Sequence, residues 1–138
     1  MAFPRSLRLA LVLACSTLVS ANVLAQALRL TGDQEVPPNA STVVGTGTIR
    51  VDADGNVSGT ISAPLLKQPR AAHIHLGAPG QSGPPIITLN GGDPGTWTVP
   101  EGAKLTPEQL QEYKAGHLYV NMHTEAYPGG ELRTQLRP

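Results

Sequence analysis

From Leu28 onward the chain alternates short apolar stretches with turn residues and builds no long helical face. Over residues 43–51 small residues, threonines and aliphatics alternate with a period of two, and the pattern returns over residues 57–61. That period puts successive side chains on opposite faces of a strand. Between the two runs, Asp52-Ala53-Asp54-Gly55-Asn56 is a turn cluster in which Gly55 can take a positive φ, so the pair predicts a β-hairpin. Residues 71–76, 85–89, 118–124 and 130–136 read as further strands, with Gly- and Pro-rich loops at 77–84 and 91–95. One helix interrupts them. Thr106 suits an N-cap, Pro107 the first helical position, Gln109 a capping-box partner and Gly116 the position after the C-cap. Leu110 and Tyr113 share one face of that helix. Six or seven short strands and one short helix predict a mainly β fold, an antiparallel β-sandwich or Greek-key barrel in one domain.

Composition narrows the class further. Of 138 residues, 14% are charged and 4% aromatic, while 15 Gly and 13 Pro break up any long helix, which excludes a coiled coil or a helix bundle. Ten basic side chains balance ten acidic ones, so no bulk charge attracts nucleic acid.

The first residues read as an address. Arg5 and Arg8 precede an apolar run over residues 9–19, the pattern of a secretion signal, and residues 1–25 are expected to be removed. Val23 and Ala25 favour cleavage after Ala25, and Ala25 with Ala27 also satisfies a cut after Ala27. The run is shorter than the roughly 20 apolar residues that span a bilayer, so no membrane anchor is expected after processing, and the product should be periplasmic or secreted. The sole cysteine, Cys15, lies within this segment and sits in a poor lipobox, which leaves the mature domain without a disulfide.

All four histidines fall in the second half of the chain. In Ala72-His73-Ile74-His75 the two imidazoles sit at i and i+2 of a predicted strand, on one face with Cα atoms about 6.6 Å apart. The same alternation in Leu118–Thr124 sends Val120 and Met122 to the core and Asn121 and His123 outward. If these strands are neighbours, His73, His75 and His123 meet on one surface, a donor set that suits copper or zinc and not Mg²⁺ or Ca²⁺. The alternative is a set of ordinary hydrogen-bonded histidines. His117, just after Gly116, has a helix-dipole reason for its place. Asn121, Glu131 and Arg133 are candidates for a supporting shell around the imidazoles. No nucleophile triad, acid–base dyad or phosphate loop can be assembled, so nothing in the residues themselves points to an enzyme.

Three segments together resemble the CHRD domain, a module first described in chordin: residues 30–38, Leu-Thr-Gly-Asp-Gln-Glu-Val-Pro-Pro; residues 72–77 with Gly83-Pro84; and residues 118–133 through Tyr127-Pro128-Gly129-Gly130. The resemblance spans residues 28–137, with Met122 standing where Val or Ile is commoner. It implies a compact β-rich exported domain, of the stand-alone kind found in bacteria, and a protein partner in the exported compartment, as in chordin. A looser similarity links His73, His75, His123 and Arg133 to the copper-binding strands of Cu/Zn superoxide dismutase. The disulfide cysteines and zinc loop of that enzyme are missing here.

Overall fold

The computed structural model describes residues 26–92 and 94–138, so the expected signal segment lies outside the described residues. Among the described residues, nine strands form two antiparallel sheets. The first contains β1 (Ala27–Leu30), β2 (Gly45–Val51), β3 (Val57–Ser62), β7 (Thr96–Thr98) and β6 (Asn90–Gly92), in that spatial order. The second runs β5 (Pro85–Thr88), β4 (Pro69–Leu76), β8 (Leu118–Thr124), β9 (Leu132–Leu136). The sheets pack face to face as a sandwich, as the strand pattern predicts. At one side Thr31 and Arg133 exchange both backbone hydrogen bonds, each 3.1 Å, and tie the end of β1 to β9.

Inward-facing positions supply the core. Leu30 and Ile61 from the first sheet meet Ile74, Leu118, Val120, Met122 and Leu132 from the second, all fully buried. Met122 is core filler, as the alternation predicts. Side chains of this kind stabilise by about 1.5–3 kcal/mol each when removed from water.

The predicted hairpin is β2–β3, pairing Val51 with Val57 across the turn. Asp52 holds that turn by accepting from the backbone N–H of Asp54 and of Asn56, each at 2.9 Å. The helix α1 (Pro107–Lys114) carries the predicted capping box, with Thr106 Oγ1 accepting from Gln109 N–H at 3.2 Å and Gln109 Oε1 from Thr106 N–H at 2.9 Å. Two differences from the sequence expectation concern the first sheet. Asn90–Gly92 lies in a strand where a loop was expected, and Thr96–Thr98 adds another. Neither carries an apolar run; Trp97 lies over Gly91, and backbone pairing does the rest. The final strand also starts later, at Leu132, because the turn through Tyr127 extends to Glu131. No helix among the described residues is long and apolar enough to cross a membrane.

Gly59 marks a tight spot in the first sheet. Its φ is +136°, and a Cβ there would lie 2.0 Å from the Thr48 carbonyl oxygen. Both β2 and β3 would have to separate to admit a methyl group. Gly59→Ala should therefore destabilise the domain by about 3 kcal/mol in denaturant unfolding; an unchanged midpoint would mean the strands are not packed this closely.

Candidate metal centre

The geometry of the centre follows from the β4–β8 register. His75 lies opposite Tyr119, His73 opposite Asn121 and Ala71 opposite His123. On the other side of β8, Gln135 lies opposite Tyr119 and Arg133 opposite Asn121. All these side chains except Ala71 are polar or amphipathic, and all point away from the aliphatic core. Ala71 offers only a methyl group, which leaves room for the ring of His123 to lean along the strand toward His73. The three predicted imidazoles are thus brought together: their nearest ring nitrogens all lie within 4.8 Å of one another. Nitrogens bound to one ion at 2.0–2.1 Å stand roughly 3.3–3.6 Å apart. Small side-chain adjustments would therefore close the site on a metal ion.

Backbone carbonyls fix the tautomer of two rings. His75 Nδ1–H donates to the Gly83 carbonyl at 2.9 Å, and His123 Nδ1–H donates to the Pro128 carbonyl at 2.9 Å. In a neutral imidazole the other nitrogen then carries a bare lone pair. His123 uses its Nε2 to accept from His73 Nδ1–H at 3.0 Å. His75 Nε2 is buried and has no hydrogen-bond partner. An ion held by all three rings would take His123 Nε2 and His75 Nε2, the nitrogens left without a proton, and would displace the His73–His123 hydrogen bond. The fixed second nitrogens are what a metal-binding histidine usually needs.

The two carbonyls are held by loops. The segment after β4 returns so closely that a Cβ on Gly83 would lie 1.6 Å from the Leu76 carbonyl oxygen, which makes glycine necessary there. Tyr119 OH accepts from Gly83 N–H at 3.1 Å and fixes the same loop. On the other side, Tyr127 N–H bonds Thr124 Oγ1 at 3.2 Å, which starts the turn that presents Pro128. Glu131 braces this turn. Its carboxylate accepts from Ser41 Oγ and Thr124 Oγ1, both at 2.7 Å, so its role is to hold the loop and not an imidazole.

Electrostatics favour the neutral form of His73 and His75. His73 and His75 both have their pKa lowered from 6.5. Burial is the main cause in each case, and the charge of neighbouring imidazoles adds to it. At His75 the Gly83 carbonyl and the Asn121 side chain oppose the shift, and Arg133 adds to it. Its guanidinium carbon sits 3.5 Å from the centroid of Tyr119, and the imidazole of His75 is stacked on that ring at 4.7 Å with planes 6° apart. Because β4 and β9 flank β8, Tyr119 is sandwiched between His75 and Arg133. Asn121, at the middle of the sheet, has its Nδ2 3.5 Å from Glu35 Oε1. His117 stands apart and pairs with Glu112 at 2.7 Å.

No sequence pattern singles out Tyr119; only the β4–β8–β9 register brings it beside His75 and Arg133. Gly83 and Pro128 act through backbone carbonyls, which leave only the Gly-rich turns themselves as a signal.

Glu35 is the other buried ionisable group beside this face. Burial pushes its carboxyl up to about 7 from 4.5, against the opposing pull of Arg133, Asn121 and the Val36 N–H. The folded state keeps a proton that the unfolded chain releases, so stability contributed by this group falls as pH rises from about 4.5 to about 7. Glu35→Gln should raise stability at pH 8 by about 2 kcal/mol, allowing for screening, and change it little near pH 4.5. Equal denaturant midpoints for the two proteins at pH 8 would contradict this burial cost.

The profile of the CHRD domain matches residues 27–136, nearly all of the described chain. No curated protein and no solved structure gives a match. The three segments that carry the resemblance map onto the parts just described: the loop bearing Glu35, strand β4 with the Gly83 turn, and β8 with the Pro128 turn. The chain belongs to the CHRD-domain family.

Proposed function

We propose that this is an exported CHRD-domain protein that binds one transition-metal ion, copper or zinc, through His73, His75 and His123. The observation that carries the reading is the buried, partnerless Nε2 of His75, whose Nδ1–H is already committed to the Gly83 carbonyl. A buried polar atom without a partner is costly, and an ion at that point would satisfy it together with the other two nitrogens. Three protein ligands leave at least one coordination position open, on the side where His73 and His123 are partly exposed. Export is supported by the leader pattern of residues 1–25. Metal handling in an exported compartment is the role that fits these features, and a protein that delivers or receives the ion would be the natural partner.

Mature protein loaded with Cu²⁺ or Zn²⁺ and dialysed should retain about one ion per chain by elemental analysis, and saturating metal at about 100 times Kd should add about 2.7 kcal/mol of stability. The His73→Ala/His75→Ala double variant should retain essentially none. The same ion count in that variant would end the proposal.

Acid should release the ion, because protonated imidazoles cease to be ligands. Since His73 and His75 are held below 6.5, half-release is expected at a pH lower than that of free imidazole. Release centred well above 6.5, followed by metal content across a pH series, would show that other groups hold the ion.

A further inference from the structure

Arg133 carries a buried charge with no salt-bridge partner among the described residues. It is 2% exposed, and its Nη1 is buried with no hydrogen-bond partner. The other terminal nitrogen, Nη2, donates only to neutral groups, the Ala78 carbonyl at 3.3 Å and Gln135 Oε1 at 3.2 Å. Among the described residues no carboxylate forms an ion pair with it. Besides Tyr119, the carboxyl whose field reaches it is that of Glu35, itself buried and, with a pKa of about 7, only partly ionised at neutral pH. The open cleft beside Arg133 adds Arg137 and Asp33, one charge of each sign. A guanidinium removed from water is ordinarily paired with an anion. Here it faces the ring of Tyr119, whose other face is stacked on a ligand imidazole.

The ligands themselves offer no compensation, since three neutral imidazoles bring no negative charge to an ion. A fixed positive charge nearby repels a bound cation in proportion to the cation's own charge. It therefore costs a divalent ion about twice what it costs a monovalent one. We propose that Arg133, acting across Tyr119, biases the three-histidine centre toward monovalent copper and against Cu²⁺ and Zn²⁺. This rests on the preceding reading that the histidines bind metal, and it adds which oxidation state they favour. Arg133 is here a positioning residue: it touches no ligand atom and works through its field.

The two charged groups make opposite predictions, which the test uses. Dissociation constants for Cu⁺, kept reduced with ascorbate under anaerobic conditions, and for Zn²⁺ would be measured at pH 8 by competition with chromophoric chelators. The proteins are the wild-type chain, Arg133→Gln and Glu35→Gln. Removing the cation should lower the preference for Cu⁺ over Zn²⁺, the ratio of the two Kd values, by about tenfold. Removing the carboxylate, ionised at this pH in the wild type, should raise the same ratio. A merely structural role for either residue would weaken both ions together and leave the ratio where it was. An unmoved ratio in both variants, or a shift in the same direction in both, would overturn the bias while leaving the metal site intact. If Arg133→Gln fails to fold by circular dichroism, the near-isosteric Glu35→Gln decides alone. Wild-type protein that binds neither ion would instead sink the three-histidine centre itself.

Discussion

The pairing of β4 with β8 sets the rest of the molecule. Strand side chains alternate between two environments, so one register places Ile74, Val120 and Met122 in the aliphatic core and His73, His75 and His123 on the outer face. A slip of one residue would exchange the two sets, burying imidazoles among aliphatics and exposing Met122. The fully buried inner face thereby enforces the arrangement of the outer one. Loops then finish the work, because only carbonyls delivered from outside the sheet can take the Nδ1 protons of His75 and His123.

The outer face of this sheet is covered and forms a second, polar layer. Asn121 and Arg133 are as inaccessible as the aliphatic core, and Glu35 is nearly so. Such groups are expensive to desolvate, and three of the four buried side-chain polar atoms without partners among the described residues belong to His75, Asn121 and Arg133. The fourth, Trp97 Nε1, lies on the other sheet. A fold selected for stability alone would satisfy these atoms or replace them with apolar side chains. They are concentrated instead around the imidazoles, the place where the fold departs furthest from its own packing rules.

Much of this was legible in the sequence because it depends on local rules. The β2–β3 hairpin, the capping box of Thr106 and Gln109, and the limits of Leu118–Thr124 follow from turn chemistry and periodicity. The shared face of His73 and His75 follows from strand period alone. What the sequence does not contain is which strands are neighbours and in what register, so the stacking of Tyr119 between His75 and Arg133 was invisible. Alternation also misleads for Arg133: it predicts a side chain outside the aliphatic core, correctly, but the loops around Glu35 and Ala78 close over it. Strands β6 and β7 escaped because Gly and Thr give no apolar signal, and their pairing depends on contact with β3 and Trp97.

The reciprocal bonds between Thr31 and Arg133 have a consequence for how this molecule meets copies of itself. They engage part of the outer margin of β9 with the end of β1, withdrawing backbone donors and acceptors that a stray strand could otherwise recruit. The opposite margins are β5, only four residues long and opening with Pro85, and β6, three residues ending in two glycines. Short margins interrupted by proline or glycine are poor templates for sheet-to-sheet addition. The margins of both sheets therefore give an incoming strand little continuous backbone to pair with.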